Sequence, residues 1–371
     1  RSAASGVESS PVLYRPDWHE PLTERAWDDA WVQDAVAALV VDAVGAYEPE
    51  TLWPAHPDDT SVYDLYAGGA GIAWALARLG ADFDAKAAAE RAHALVPEEP
   101  PEEGVELPAE WRSSLLLGET GAALAAHVCG ADRRARLLEL VAANLANEAN
   151  ELMWGVPGTL LVARMLGSAD DSERALRAAR DADGWWTQRL CGYVFRSLGP
   201  VHGLLGNLLA LGEVAEALPL LRELARRDGP HVNWPPGPED ENMRLQWCHG
   251  APGILIHAGG VLDEDLLLGG AQLTWDAGPF DRIEKGAGIC HGTAGNGYAL
   301  LKTFELTQDE RWLARARAFA VHALEQAQSL PPRYSLFTGG IGAALFASDC
   351  LESKARFPIL DDLGTFAERA V

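Results

Sequence analysis

Seven copies of Gly-x-x-Gly punctuate this chain, at Gly68/Gly71, Gly118/Gly121, Gly155/Gly158, Gly203/Gly206, Gly250/Gly253, Gly292/Gly295 and Gly339/Gly342. Successive copies lie 50, 37, 48, 47, 42 and 47 residues apart, a period at which each repeat is one supersecondary unit. Each copy runs into small or aliphatic residues, such as Ile72–Leu76, Ala122–Ala126 and Leu204–Leu211. Glycine in such a turn allows a positive φ and a close backbone approach, and the apolar run that follows reads as a buried helix. Between the turns lie longer amphipathic stretches. Asp28–Tyr47 sets Trp31, Ala35, Ala38, Leu39 and Asp42 at mixed three-four spacing, and Glu310–Gln328 does the same with Trp312, Ala316, Phe319 and Ala323. β-branched alternation is nearly absent, so no sheet is expected. One repeat is therefore outer helix, loop, glycine turn, inner helix. Units of this kind cannot bury their apolar faces alone and must stack. The repeats predict an all-α fold, a closed α/α toroid with its glycine turns gathered at one mouth.

Two of the turns carry a Cys-His pair just before their first glycine: Cys248-His249 in Trp247–Gly253, and Cys290-His291 in Lys285–Gly295. Thiolates and imidazoles suit Zn²⁺, and three protein ligands with one open position is the catalytic arrangement. His202 stands on the fourth glycine turn, so the repeat geometry sets it at the same mouth. The glycines do not signal a dinucleotide site, which needs a preceding strand and a βαβ unit. Histidines outside the glycine turns are assigned no role.

An apolar fraction of 48% with 13 Trp residues supplies ample core for 371 residues. The formal charge of −24 argues against a nucleic-acid partner, because a polyanion is repelled. The five cysteines are an odd, sparse set, unlike a disulfide framework, and point to the cytoplasm. Arg1–Ser10 is polar without an apolar stretch, so no signal peptide is expected, and no run of about twenty apolar residues predicts a membrane span. Residues 1–20 read as an N-terminal extension, expected to be mobile, and 21–371 as a single domain. Pro97–Pro108 is a Pro/Glu connector that cannot continue a helix. Asp228–Asn242 runs directly into the first Cys-His turn and is a candidate wall of the site.

With these residues in view, the chain resembles the lanthionine synthetase C-like family. The resemblance is carried by Trp247–Gly253, Gly288–Tyr298, Pro200–Gly203, Ser335–Gly342 and the closing Lys354–Pro358, and spans Tyr63 to Pro358. It implies a double barrel of seven inner and seven outer helices, in agreement with the repeat count. The family holds lanthipeptide cyclases, which add a peptide's own cysteine to its dehydroalanine or dehydrobutyrine. It also holds stand-alone members that add glutathione to dehydroamino acids in proteins. The Cys248-His249 pair resembles the stand-alone members, since cyclases often carry an aromatic residue after this cysteine.

The resemblance implies that Cys248, Cys290 and His291 hold one Zn²⁺ per chain, and that a thiol, most readily glutathione, is deprotonated in its fourth position. It implies an acid-base role for His202, and for Arg244 the steadying of an enolate oxygen. His249 is a candidate proton donor to the enolate. Glu151 is a candidate partner for His202 or Arg244. Lys285 and Arg333 match positions that contact the carboxylates of glutathione. The acceptor is then a peptide or protein carrying a dehydroamino acid. A lanthipeptide cyclase, a non-catalytic adaptor binding glutathione or a protein, and an α/α-toroid glycosidase are the alternatives. The last needs paired carboxylates, for which Glu119 and Glu151 are the candidates on the first three turns.

Overall fold

The computed structural model describes residues 12–57, 59, 61–100, 107–283 and 285–363. Residues 1–11 of the N-terminal extension, and 101–106 of the Pro/Glu connector, lie outside the described residues. Fourteen α-helices are found among the described residues, alternating in position along the chain. The inner set is α2 (Gly69–Arg78), α4 (Glu119–Val128), α6 (Val156–Met165), α8 (Leu204–Leu211), α10 (Ala251–Ala258), α12 (Thr293–Thr307) and α14 (Gly340–Glu352). The outer set is α1 (Asp29–Gly45), α3 (Ala85–Ala94), α5 (Arg134–Ala143), α7 (Asp170–Ala178), α9 (Leu218–Leu224), α11 (Glu264–Ala277) and α13 (Glu310–Ser329). No helix among the described residues is long and apolar enough to cross a membrane.

The two sets start differently. Outer helices α1, α3 and α13 are capped by Asp28, Asp84 and Asp309, whose carboxylates accept backbone N–H groups of the first turn. Every inner helix instead has the first glycine of its motif as N-cap, with no side-chain cap. In α2, α8, α12 and α14 the first amides are met by carbonyls seven residues back, and in α10 Ala251 N donates to Asn233 Oδ1 at 2.7 Å. Gly69, Ala70 and Gly71 donate to Val62, Tyr63 and Asp64, and Thr293, Ala294 and Gly295 donate to Gly286, Ala287 and Gly288. The preceding loop is thus folded tightly over each helix start, satisfying groups that would otherwise be stranded in the core.

That fold-back explains the glycines, and corrects the expectation of positive φ. Of the first-glycine caps only Gly250 has it, at +100°; the caps at Gly68, Gly118, Gly155, Gly292 and Gly339 are extended with negative φ. Close approach is the general cause. A Cβ on Gly253 would stand 1.9 Å from the carbonyl oxygen of Trp247, and one on Gly295 would stand 1.8 Å from that of Ile289.

Backbone hydrogen bonds link the turns into a ring. Tyr66 N donates to Leu116 O, Leu116 to Met153, Leu152 to Val201, Cys248 to Cys290, Cys290 to Phe337, and Phe337 back to Tyr66. The last bond closes the toroid by joining the seventh turn to the first. No such bond joins the fourth turn to the fifth among the described residues, and it is at this seam that the larger cleft described below opens.

Two sequence expectations need correction. Short antiparallel hairpins do occur, β1 (Gln188–Leu190) with β2 (Tyr193–Phe195) and β3 (Arg226–Asp228) with β4 (His231–Asn233). Strands of three residues are too short to show alternation, and the first is turned by Cys191 and Gly192, both at positive φ. In α1 the buried face is Val32, Ala35 and Ala43, while Ala38 and Asp42 are exposed. The stripe is rotated because α1 packs through its β-branched Val32 rather than Trp31. In α13, Trp312, Ala316, Phe319 and Ala323 are all buried as expected. Before the toroid, Leu13 is buried, the His19 ring stacks on Phe280 at 4.7 Å, and Glu20 accepts from Gln326 at 2.9 Å.

Candidate metal centre

The repeat places equivalent residues side by side. The position two before the first glycine is Tyr66, Leu116, Met153, Val201, Cys248, Cys290 and Phe337 in successive turns, and the next position is histidine in turns four to six. These are the residues that the ring of backbone hydrogen bonds brings to the mouth. Beneath them runs an aromatic stack: Tyr66 on Phe337 at 5.3 Å, Phe337 on Trp247 at 5.3 Å, and Trp247 on Phe357 at 4.8 Å. Phe357 belongs to the closing segment, so that stretch packs behind the centre. Stacked rings hold a side-chain floor in place with few accessible rotamers.

Two groups of donor atoms form, sharing Cys248: Cys248 with Cys290 and His291, and Cys248 with His202 and His249. Within each group the atoms lie within 4.8 Å of one another. Bonds of about 2.0–2.3 Å from sulfur and nitrogen to a common ion need only small side-chain rotations from there. The first group fits Zn²⁺ better. It offers two thiols, and Cys290 is hydrogen-bonded to Cys248, which draws the Cys248 pKa far below the ordinary thiol range against the opposing effect of burial. Burial and the Cys248 charge push Cys290 up in turn. A buried negative charge shared by two sulfurs is a cation site by its chemistry. In the second group His202 is already engaged by a carboxylate. Gln246 Nε2 donates to Cys248 Sγ at 2.8 Å and orients it.

His202 Nδ1 lies 3.0 Å from Glu151 Oε2. Burial works against a charge on His202, but hydrogen bonds to Cys248 and Glu151 outweigh it and hold the pKa up at about 10. His249 stacks on His202 at 5.2 Å, and burial pulls its pKa down to about 4. The two imidazoles are therefore set in opposite protonation states by their surroundings. Glu151 has no ion pair with Arg244 among the described residues, so its partner is the histidine. Arg244 Nε and His249 Nδ1 are buried without a hydrogen-bond partner.

Two clefts open beside the centre. A cleft of about 940 Å³ is lined by His202, His249 and Arg244, with Pro236–Asp240 as one wall, in agreement with the reading of the Asp228–Asn242 loop. A second, of about 420 Å³, is lined by His291, Lys285, Arg333, Tyr66 and Asp59. Lys285 Nζ sits over the Trp18 ring at 4.5 Å. Arg333 is gripped by the nearly buried Asp59, with Nε 3.0 Å from Oδ2, and Thr338 Oγ1 donates to the same carboxylate at 3.1 Å. Of the residues singled out in the sequence, His202, His249 and Arg244 line the larger cleft and Lys285, Arg333 and His291 the smaller, while Cys248, Cys290 and Glu151 are buried and line neither.

Sequence reasoning missed Tyr66, Asp59 and Gln246. Tyr66 was legible: it holds the place in the first turn that the cysteines hold in theirs, and its hydroxyl is hydrogen-bonded to Cys290. Asp59 lies in an irregular loop with no repeat to mark it. The glycosidase alternative loses its acid, because Glu119 is enclosed by Arg112, Arg136 and His93 at 2.6 to 3.0 Å.

A model of the family described as lanthionine synthetase C-like protein matches residues 60–361. The glutathione S-transferase LANCL1 of Danio rerio is 32% identical over 188 residues, covering 44% of this chain and 45% of that protein. The LanC-like protein GCL1 of Arabidopsis thaliana is 28% identical over 189 residues, covering 44% of this chain and 43% of the relative. The matches therefore span less than half the length of these curated relatives. Among solved structures, nisin cyclase superposes with a TM-score of 0.56 over 91% of this chain and 98% of its own, at 15% identity, a likeness of fold alone. Matched by the family model over most of its length, and with relatives nearer the Danio rerio transferase than the cyclases, the chain belongs to the lanthionine synthetase C-like family.

Proposed function

We propose that this protein adds an external thiol, glutathione, across the double bond of a dehydroalanine or dehydrobutyrine residue in a peptide or protein. Cys248, Cys290 and His291 are the residues that would hold Zn²⁺. Zinc bound there supplies acidification of a thiol, so that the thiolate is available at neutral pH.

The observation that carries the reading is the presence of two separate clefts, one lined by Lys285, Arg333 and the donor His291, the other by His202, His249 and Arg244. Two substrates that arrive separately need two compartments. A peptide that cyclises on itself needs one. The name of the Danio rerio relative, a glutathione S-transferase, agrees with a separate thiol.

The residues then divide the chemistry. Lys285 and Arg333 orient the carboxylates of the tripeptide. As the sulfur–carbon bond forms at Cβ, the π electrons move onto the acceptor carbonyl, and Arg244 faces that developing charge. His202, kept protonated by Glu151 and Cys248, delivers a proton to Cα, so that the net change is addition of S and H across C=C. His249 is neutral, with Nδ1 available to accept from the acceptor backbone. It is not the proton donor in this scheme.

Intact-mass spectrometry of a dehydroalanine peptide incubated with zinc-loaded protein and glutathione tests the reading. A protein-dependent glutathione adduct, absent with Cys290→Ala, is expected. No adduct from a folded, zinc-loaded protein would contradict it, and ring closure of a Cys-containing dehydropeptide without glutathione would put the cyclase in its place.

A further inference from the structure

The cleft at the seam between the fourth and fifth turns is much larger than one dehydroamino acid needs, and its lining is graded. Its inner end carries His202 and Arg244, together with the two buried polar atoms that lack partners, Arg244 Nε and His249 Nδ1. Buried donors and acceptors left unmatched are costly and point to a ligand that completes them. Its walls are apolar. On one side stand the buried Trp185 and β2 with Val194, 60% exposed, and Phe195. On the other stand Pro236, Gly237 and Pro238, clamped to the fourth turn because the Pro236 carbonyl accepts from Leu198 N at 2.7 Å and Ser197 Oγ at 3.0 Å.

The outer rim is anionic. Glu239 and Asp240 are exposed lining residues, and neither is ion-paired among the described residues. The cation that also lines this cleft, Arg196, is already neutralised by Asp181 at 2.9 Å and Asp183 at 2.6 Å. A cationic end, apolar walls and an acidic lip make a sequence filter rather than a slot for a small molecule.

We propose that this cleft selects an acceptor polypeptide carrying an apolar side chain and a Lys or Arg close to its dehydroamino acid. The dehydroamino acid sits at Arg244 and His202, the apolar side chain lies between Val194 and Pro236, and the basic residue meets Glu239 and Asp240. This deepens the thiol-addition reading and rests on it.

Two dehydroalanine peptides test it, one with neighbouring Leu and Lys, the other with Leu and Glu, beside N-acetyl-dehydroalanine methylamide, which is too small to reach the rim. The Lys peptide is expected to react with a kcat/KM about tenfold higher at low salt, with the gap closing as salt rises. The double variant Glu239→Lys/Asp240→Lys is expected to reverse the preference between the two peptides. Equal rates on the two peptides, or a preference that survives the double variant, would overturn the proposal. Fluorescence anisotropy with labelled peptides that carry Ser in place of dehydroalanine reads the rim without chemistry. Preferential binding of the Lys peptide by a protein that forms no adduct would refute the reaction and keep the filter. Adducts formed equally on all acceptors would keep the reaction and refute the filter.

Discussion

Glu151, fully buried on the third turn, holds the imidazole of His202 on the fourth, Oε2 to Nδ1 at 3.0 Å, while its Oε1 accepts from Trp154 N. One repeat thus orients a side chain of the next. A buried carboxylate of this kind fixes both ring direction and protonation state. His202→Ala is expected to lower kcat for thiol addition by about 10²–10⁴-fold, the usual worth of a positioned acid.

The milder Glu151→Gln keeps an acceptor but removes the charge. Because Glu151 and Cys248 raise the His202 pKa to about 10, loss of the carboxylate lowers it. The alkaline fall of kcat is then expected at lower pH than in the wild type, measured as a pH–rate profile. A profile unmoved by Glu151→Gln would show that the pair does not set the proton donor.

Metal content should depend on both sulfurs. Cys248→Ala and Cys290→Ala are each expected to take zinc from one per chain to near zero by elemental analysis, with helical circular dichroism retained, since the ring bonds through these residues are backbone bonds. His249→Ala is expected to retain the metal. Loss of zinc in that variant would instead favour the alternative donor group built on His202 and His249.

Asp59 occupies the fork of Arg333 in the smaller cleft, and Lys285 is the other cation there. In the proposed binding of glutathione, a carboxylate of the tripeptide would share Arg333 with Asp59. Asp59→Asn is expected to lower KM for glutathione several-fold while leaving KM for a neutral thiol such as 2-mercaptoethanol unchanged. A rise in KM for glutathione would show that Asp59 serves to aim Arg333 rather than to compete for it.

Glu119 contributes stability away from the site. Burial opposes its charge, yet Arg136, His93 and Arg112 outweigh burial and hold its pKa well below the ordinary 4.5. A depressed carboxylate pKa gives stability that is full above about pH 4.5 and is lost as the pH falls further. Glu119→Gln leaves Arg112 and Arg136, each more than a third exposed, without their counter-charge, at a solvent-screened cost of about 1 kcal/mol near neutrality. Urea denaturation at pH 7 and at pH 3.5 is expected to show that gap narrowing in acid.

Much of this was legible because the fold repeats. Fourteen helices and the mouth follow from glycines recurring at a fixed offset from apolar runs; His202, His249 and His291 share the position just before the first glycine, and Cys248 and Cys290 the one before that. The reason for the glycines was only half legible. Spacing cannot distinguish a positive φ from a carbonyl 1.8 Å from the would-be Cβ, as at Gly295. What lies off the repeat stayed hidden: the hairpin of β1 and β2 is too short to alternate, and Asp59 reaches Arg333 across 274 residues of chain. The opposite pKa shifts of His202 and His249 come from hydrogen bonds to Cys248 and Glu151 at the first and from burial at the second, a matter of contact rather than spacing.

X-ray absorption at the zinc edge, recorded on the zinc-loaded protein before and after glutathione, shows whether the external thiol enters the centre. Two sulfurs at about 2.3 Å with lighter donors are expected, becoming three sulfurs when glutathione is added. A sulfur count that does not change with glutathione would contradict a centre that activates an external thiol.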